Sequence, residues 1–159
     1  MISLRPLATD NLDIVFEWEN IPELWQYSEQ KGPFSREDIE AFMDKCLDLE
    51  NAEIERWLIC NFDTPIGAVD IFDYDNHNRA CGLGIFITHP ENRNHGHATV
   101  ALKQAILMLK NRGCLIIRAI IYVDNTSSRR LFLTAGFREG ASLQYKGKPA
   151  IQFIWKPQA

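Results

Sequence analysis

The sequence has no long hydrophobic run, and its first residues do not have the composition of a signal peptide. A membrane-spanning helix needs roughly 20 consecutive apolar residues, and no stretch of this chain approaches that length. The opening residues MISLRPLATDN alternate apolar and polar side chains, whereas a signal peptide carries a continuous apolar segment. We therefore expect a soluble protein of the cytoplasm that does not associate with a membrane.

Basic residues are not in excess. The chain carries 17 Lys and Arg against 21 Asp and Glu, which gives a formal net charge of −4 at pH 7. Proteins that bind nucleic acids neutralise phosphates with a basic face, so this balance argues against a nucleic-acid partner. A mildly acidic surface instead tolerates cationic small molecules.

Clusters of cysteine are absent. The four cysteines are far apart and lie in apolar segments, which predicts reduced thiols in the core rather than disulfides or a zinc site. Two of the histidines, His95 and His97, are close in sequence, but no cysteine pair accompanies them. We therefore predict no metal site. The cysteines are Cys46, Cys60, Cys81 and Cys114.

Apolar residues are plentiful, at 46% of 159 residues, and they predict one globular domain over residues 1–159. Alternating or continuous apolar runs predict seven strands, and apolar residues at helical spacing predict four helices. The predicted strands are 2–7, 54–62, 66–72, 80–88, 115–123, 137–145 and 150–156. The predicted helices are 12–19, 36–49, 97–112 and 127–135. This order predicts an α/β fold with one sheet and helices on its faces.

One connection between a strand and a helix has the features of an anion site. The fourth predicted strand runs through Thr88 and a short loop directly into the long third helix. The first N–H groups of a helix have no partner within it, and the helix dipole makes its start favourable for a phosphate. Gly96 and Ala98 are small enough for a ligand to approach the backbone. The Gly-Lys-Ser/Thr ending of a nucleotide-triphosphate loop is absent.

The spacing Arg93-x-x-Gly96-x-Ala98 resembles the coenzyme A loop of the GNAT acetyltransferases. A second motif, roughly thirty residues further on, resembles the second GNAT signature, and the similarity extends over essentially the whole chain. The resemblance implies a mixed, mostly antiparallel central sheet of about seven strands flanked by about four helices. Polyamine and diamine acetyltransferases and acetylases of ribosomal-protein N-termini are the most similar subgroups. The second motif is Asn125-x-x-Ser128-x-x-Leu131-Phe132-x-x-x-Gly136-Phe137.

The resemblance implies that acetyl-CoA is the cosubstrate and assigns residues to it. The backbone of strand four would bind the pantetheine arm, and strands four and five would diverge to admit it. Gly82 and Gly84 are compatible with a bulge in strand four. The loop would hold the pyrophosphate, and two residues at the start of the fourth helix would contact the cofactor. The assigned residues are Ile85, Phe86 and Ile87 for the arm; Arg93, Asn94, His95, Gly96, His97, Ala98 and Thr99 for the pyrophosphate; and Asn125 and Ser128.

Acetyl transfer from a thioester to an amine needs a base for the amine, polarisation of the carbonyl and a proton for the thiolate. The carboxylates near the end of strand three are the nearest candidates for the base, together with His77. We take Asp73 as the base and as a contact of the acceptor. Asp70 and Asp75 are alternatives, and each carboxylate is also consistent with a solvated residue at a turn.

The proton donor is less clear from the motif, because Phe132 stands where many family members have a tyrosine. Tyr122, Tyr145 or a water molecule are the alternatives, and we take Tyr122 as the candidate. A thiolate can also leave unassisted, since a thiol has a pKa of about 8.5.

The resemblance implies direct attack of an amine on acetyl-CoA in a ternary complex, with a small amine or polyamine as the favoured acceptor. Glu29, in the loop after the first helix, is the candidate for holding a cationic amine. A protein N-terminus or a lysine side chain is the alternative acceptor. A domain that binds acyl-CoA without catalysis is the alternative function, and a homodimer is compatible with the sequence.

Overall fold

The computed structural model describes residues 1–28, 30–48, 50 and 53–158. In this part of the chain it contains seven strands and four α-helices, which confirms the predicted mixed α/β fold. The strands are β1 (Ile2–Pro6), β2 (Ile54–Asn61), β3 (Thr64–Asp75), β4 (Ala80–Ile87), β5 (Ile116–Tyr122), β6 (Arg138–Tyr145) and β7 (Lys148–Trp155). The helices are α1 (Leu12–Glu19), α2 (Arg36–Leu47), α3 (His97–Asn111) and α4 (Thr126–Thr134).

The strands form one sheet in the order β1-β2-β3-β4-β5-β7-β6. Within the described residues every pairing is antiparallel except that of β4 with β5, which is parallel. The connection between these two strands contains α3, as a parallel crossover requires. The expectation of a mostly antiparallel sheet is therefore confirmed.

The pairing of β4 with β5 ends early. Only three pairs form, from Ala80 with Ile116 to Gly82 with Arg118. Beyond them, β4 stays paired with β3 as far as Ile87, and β5 stays paired with β7 as far as Tyr122. The two strands therefore diverge, and we call the space between residues 83–87 and 119–122 the β4–β5 gap. Its closed end lies at Gly82, and its open end lies where β4 leads into α3.

Helices cover the sheet on two faces. On one face, which we call the α3 face, α3 buries Leu102 and Leu109 against residues from β2, β3, β4, β5 and β7. On the other, the α1–α2 face, Val15 and Met43 pack on the first strands of the sheet. Both helices of the α1–α2 face lie over β1 to β4, so the gap forms where the helical cover of this face ends.

Most expected boundaries differ from the structure by one to three residues, and two of the differences have a clear local context. The second helix ends at Leu47 rather than at residue 49, which lies outside the described residues. Its start is as the sequence predicts, because the Ser35 hydroxyl accepts from the Asp38 N–H at 3.1 Å and Asp38 accepts from the Ser35 N–H at 2.9 Å. The third strand extends to Asp75 rather than ending at residue 72, since a bulge allows pairing to resume.

The prediction of a bulge in strand four is wrong. The irregularity lies in β3, where Phe72 pairs with Gly82 and Asp75 pairs with Ala80, so β3 has two residues opposite one of β4. A Cβ added at Gly82 would lie 2.4 Å from the Phe72 ring. Gly82 therefore makes room for an aromatic side chain of the neighbouring strand and does not bend β4.

All four cysteines are buried free thiols, as the sequence predicts. Burial, together with the smaller effect of the nearby Cys114 sulfur, raises the pKa of Cys81 to about 12. Among the described residues, no group of three or more His, Cys, Asp and Glu side chains is arranged to hold a metal ion. In the same residues, every helix is too short or too polar to span a bilayer.

Candidate functional site

The connection from β4 to α3 leaves the start of α3 without a side-chain cap. A short 3-10 turn at Pro90–Asn92 is followed by Asn94 and Gly96, which both have positive φ, +62° and +78°. Gly96 is the N-cap residue of α3, and no heavy atom lies within 4 Å of the position where a Cβ would be. A glycine has no side chain with which to cap a helix, so this local sequence leaves the helix end exposed to a ligand.

The backbone N–H groups of residues 94–99 have no protein acceptor in the described part of the chain. They lie at the positive end of the α3 dipole, at the open end of the β4–β5 gap. Unpartnered amides, a helix start and a glycine with free space beside it are the features that fit a diphosphate. The residues present therefore fit the phosphate part of coenzyme A.

Arg93 is used by the protein itself. Its guanidinium donates to the Ile87 carbonyl at 3.1 and 3.3 Å and to the Thr88 carbonyl at 3.3 Å, and it pairs with Glu23 at 2.9 Å. Its backbone N–H donates to Pro90. Arg93 therefore stabilises the end of β4. Of the loop residues predicted to bind the pyrophosphate, residues 94–99 are the ones whose backbone N–H groups have no protein acceptor in the described part of the chain.

The backbone groups of β4 alternate between β3 and the gap. Thr88 donates its N–H to the Ile66 carbonyl at 2.9 Å, so Thr88 is directed towards β3. By the period of two in an antiparallel pair, Phe86 is also directed towards β3, whereas Ile85 and Ile87 face the gap. Of the three residues predicted to bind the pantetheine arm through the backbone, two are therefore placed to do so. Arg93 already binds the Ile87 carbonyl.

The connection from β5 to α4 is built differently. The Asn125 side-chain oxygen accepts from the Ser128 N–H at 3.3 Å, which caps α4. The Asn125 backbone N–H donates to the Tyr122 carbonyl at 2.9 Å. In the described residues the side-chain N–H groups of Asn125 have no acceptor, so the residue can cap the helix and still donate to a cofactor.

Asp70 is held in a buried ion pair. Both of its oxygens accept from Arg56, at 2.7 and 2.9 Å, and Arg56 also donates to Glu19 at 2.7 Å. Burial lowers the pKa of the Arg56 guanidinium, but the two carboxylates outweigh it and raise the pKa overall. The ring of Phe86 lies 5.1 Å from the Arg56 guanidinium carbon. Asp70 is therefore a partner of Arg56 and is not free to accept a proton from an amine.

Asp75 and His77 belong to the turn after β3. Asp75 accepts from the His77 N–H at 3.1 Å, from the Asn78 N–H at 3.0 Å and from the Asn78 side chain at 2.7 Å. The bonds from Asn78, helped by those from His77, lower the pKa of Asp75. Asp73, by contrast, is exposed, has φ +52° and has no hydrogen-bond partner among the described residues. It lies in the β3 bulge, beside the closed end of the gap.

Tyr122 ends β5 and is therefore level with the open half of the gap. Its ring lies 6.1 Å from Tyr27 and 6.1 Å from Tyr145. The Lys148 ammonium lies 4.9 Å from the centre of the Tyr122 ring. Phe132, in the position where many family members have a tyrosine, is buried in the core with its ring 4.8 Å from Phe137.

The grouping of Tyr27, Tyr122, Tyr145 and Lys148 was not expected from the sequence. These residues come from three segments that lie far apart along the chain, and no motif or periodicity connects them. Only the pairing of β5 with β7 and the position of the segment after α1 bring them together.

The 3-10 segment Pro22–Tyr27 crosses from one side of the gap to the other. At one end, Glu23 pairs with Arg93 beside the end of β4. At the other, the Tyr27 hydroxyl lies 3.5 Å from the Asp124 carbonyl, just after β5. Glu29 is the predicted contact of a cationic amine. It lies outside the described residues, so its role stays a prediction.

A family model described as "Acetyltransferase (GNAT) domain" matches residues 2–138. No curated protein sequence matches the chain. Among solved structures, the chain is similar to spermidine N-acetyltransferase from Vibrio cholerae in complex with CoA and spermine, with 18% identity, a TM-score of 0.87 and coverage of 98% of this chain and 95% of that one.

Two further structures show the same fold. One is a ribosomal L7/L12 alpha-N-protein acetyltransferase in complex with coenzyme A, with 15% identity, a TM-score of 0.88 and coverage of 98% and 93%. The other is an aminoglycoside acetyltransferase in complex with coenzyme A, with 13% identity, a TM-score of 0.82 and coverage of 98% and 95%. At these identities the similarity establishes the fold.

Proposed function

Because the chain belongs to the GNAT acetyltransferase family, as its two motifs predicted, we propose that it transfers the acetyl group of acetyl-CoA to a primary amine. The amine attacks directly, while both substrates are bound. The observation that carries this proposal is the row of unpartnered amides at residues 94–99, placed at the open end of the β4–β5 gap.

These two features together support one position for the cofactor. The diphosphate takes the amides of residues 94–99, and Gly96 allows it to approach the backbone. The pantetheine arm lies in the gap, where Ile85 and Ile87 direct their backbone groups, and binds as an additional strand does. The Asn125 side chain donates to the cofactor from the β5 side. With the diphosphate at the open end, the thioester lies towards the closed end.

The reaction forms a bond between the amine nitrogen and the acetyl carbon and breaks the bond between that carbon and sulfur. The nitrogen loses a proton and the sulfur gains one. Asp73 is beside the closed end of the gap and has no other partner among the described residues, which supports it as the base, acting through water. A β4 backbone N–H polarises the carbonyl.

The position of Tyr122 does not favour direct proton donation. The parallel register puts Tyr122 level with Phe86, about five residues or roughly 16 Å along the strands from the level of Asp73. One thioester cannot lie beside both side chains. We therefore propose that water protonates the thiolate, which its pKa of about 8.5 allows, and that Tyr122 contacts the acceptor.

Turnover tests the proposed function directly. Release of thiol from acetyl-CoA is measured with a panel of spermidine, short diamines, amino acids, lysine peptides and peptides with a free N-terminus. We expect at least one acceptor to be acetylated, with the product identified by a mass increase of one acetyl group. Binding of acetyl-CoA without turnover on any amine would support the alternative of a non-catalytic acyl-CoA domain.

The base is tested by Asp73→Asn, with Asp75→Asn as the matched control on the same strand. Positioned bases contribute about 100-fold to 10,000-fold, so we expect Asp73→Asn to lower kcat/KM by about 100-fold. Asp75→Asn alters a turn and should leave kcat/KM largely unchanged. Tyr122→Phe should retain most of kcat, and a loss as large as that of Asp73→Asn would reinstate Tyr122 as the proton donor.

A further inference from the structure

Three tyrosine rings form a row beside the β4–β5 gap. Tyr27 comes from the segment after α1, Tyr122 from the end of β5 and Tyr145 from the end of β6. Adjacent ring centres are 6.1 Å apart in both pairs, with interplanar angles of 32° and 45°. We call these three residues the tyrosine row.

The tyrosine row holds the ammonium of Lys148. The Lys148 Nζ lies 4.9 Å from the centre of the Tyr122 ring and 5.7 Å from that of the Tyr27 ring. The Asp124 carboxylate is 3.8 Å away. Two aromatic faces and a carboxylate together make a site for an alkylammonium, and the chain's own lysine occupies it. Its side chain is 46% exposed, so the ammonium remains in contact with solvent.

The tyrosine row lies on the face of the sheet from which an acceptor reaches the gap. Ile117, Ala119 and Ile121 of β5 point into the core under α3, so Tyr122 points to the other face. The amides that fit the diphosphate are at the start of α3 and belong to the α3 face. A cofactor that enters from the α3 face leaves the opposite face for the amine.

The separation along β5 defines which part of the acceptor meets Lys148. In the proposed arrangement the thioester lies towards the closed end of the gap, where pairing of β5 with β4 stops after Arg118, and Tyr122 is about four residues further along, roughly 13 Å away. This distance exceeds one bond or one hydrogen bond. The group of the acceptor that lies beside Tyr122 and Lys148 is therefore its distal polar group rather than the nitrogen that reacts.

We propose that Lys148 determines the class of acceptor: it favours amines whose distal group is neutral or anionic and disfavours diamines and polyamines, in contrast to the polyamine acceptor that the family resemblance favours. This inference rests on the proposed function, because it concerns the acceptor of that reaction. A second ammonium beside Tyr122 would lie close to the positive charge of Lys148, and the aromatic faces and the Asp124 carboxylate that would otherwise bind it already hold Lys148. A carboxylate on the acceptor would share the Lys148 ammonium with Asp124, whose side chain is 61% exposed.

The experiment compares two acceptors of similar length that differ in the distal group, 1,5-diaminopentane and 6-aminohexanoate. The ratio of their kcat/KM values is measured for the native chain and for Lys148→Met, which keeps an unbranched side chain one atom shorter and removes its charge. We expect the ratio of diamine to amino acid to rise by about tenfold or more in Lys148→Met, mainly through KM, because close charges act strongly on binding.

The chain provides a matched control in Lys146, two residues away in the same hairpin. Its ammonium lies 5.9 Å from the Tyr145 ring and does not contact Tyr122. Lys146→Met removes the same charge, and we expect it to change the ratio less than about twofold, since exposed charges are screened. Lys148→Arg retains the charge and should retain the native preference.

The outcomes separate the two proposals. An unchanged ratio in Lys148→Met, with turnover retained, overturns the role of Lys148 and leaves the acetyltransferase proposal in place. An equal change in Lys146→Met also overturns it, because it would show a general charge effect. A native chain that prefers the diamine contradicts the inference directly. Absence of turnover on every amine by all variants would defeat the proposed function, and the inference with it.

Discussion

The diverging strands β4 and β5 each lead into a helix. The two connections differ in how they satisfy the first backbone N–H groups of that helix. After β5, the Asn125 side chain accepts from the Ser128 N–H and caps α4. After β4, Gly96 supplies no cap, and the N–H groups of residues 94–99 have no acceptor among the described residues. One connection satisfies its own backbone, and the other keeps its donors available for a ligand.

This difference shows what an anion site costs. An N-cap side chain contributes about 1 kcal/mol to stability, so the β4–α3 connection gives up roughly that amount in the free protein. The missing contacts are regained when an anion takes the place of the cap. Both glycine and asparagine are common at the start of a helix. Here the glycine leaves the first N–H groups of α3 available for a ligand, whereas the asparagine accepts from an N–H group of α4.

Of the substitutions that test this comparison, replacement of Gly96 should have the largest effect on acetyl-CoA binding. Gly96→Asp puts a carboxylate where the diphosphate would lie, and we expect affinity for acetyl-CoA to fall by about 100-fold or more, because several charge-assisted hydrogen bonds are lost. Calorimetric titration with acetyl-CoA measures the change. Thermal unfolding should show a loss of at most about 1–2 kcal/mol, because the strain of a non-glycine residue at φ +78° is partly offset by the favourable position of an anion at a helix start.

Gly113 provides the control at the other end of α3. It also has positive φ, +89°, and free space around the position of a Cβ. A non-glycine residue in this conformation costs roughly 1–2 kcal/mol, so Gly113→Asp carries the same strain without touching the ligand. If Gly113→Asp weakened acetyl-CoA binding as much as Gly96→Asp, the loss would be due to strain and the anion site would be disproved.

Arg93→Ala should have the next largest effect on acetyl-CoA binding, because it removes the guanidinium that stabilises the end of β4. The guanidinium bonds to Ile87 and Thr88 hold the strand end that positions the loop. We expect a loss of stability of about 1–2 kcal/mol and a loss of affinity for acetyl-CoA of roughly tenfold. Chemical denaturation and calorimetry measure the two quantities. Affinity lost without any loss of stability would instead indicate direct contact between the guanidinium and the cofactor.

Asn125→Ala tests the capped connection. We expect a loss of about 1 kcal/mol of stability from the lost cap, together with weaker binding of acetyl-CoA if the side-chain N–H also donates to it. Asn125→Ser keeps a capping oxygen and lacks the amide N–H groups. It should therefore restore stability while leaving the binding defect, and full recovery of both would show that Asn125 only caps the helix.

Glu23→Gln should have the smallest effect. Glu23 is half-exposed and pairs only with Arg93, 2.9 Å away, among the described residues. Exposed ion pairs contribute at most about 1 kcal/mol, so we expect less than about 0.5 kcal/mol by chemical denaturation and acetyl-CoA affinity within about twofold of the native value. A larger loss would show that the Pro22–Tyr27 segment helps to hold the cofactor loop in place.

Much of the fold and one part of the site could be predicted from the sequence, because they depend on local patterns. The capping pair Ser35 and Asp38, the helix start at Gly96 and the cap at Asn125 each involve residues a few positions apart. Their spacing is visible in the sequence itself. Expectations that depend on distant partners did less well: the bulge was placed in β4, although the Phe72 ring explains Gly82.

The choice of the base shows, within a single segment, the same limit of prediction from sequence. Asp70, Asp73 and Asp75 look equivalent in the sequence, three carboxylates spaced three and two positions apart at the end of a strand. Only the structure shows that Arg56 binds Asp70 and that the turn uses Asp75. Asp73 remains because it lies in the bulge with φ +52° and has no hydrogen-bond partner among the described residues.

The sequence by itself determined the helices and strands, the amide-lined start of α3 and the family, because each depends on residues that are close along the chain. The tertiary structure alone decided where β4 and β5 part, which carboxylate is free, and that Lys148 lies against Tyr27 and Tyr122. The physical reason is that these features arise from strand pairing and side-chain packing between distant segments, and the energy of such contacts leaves no periodic pattern in the sequence.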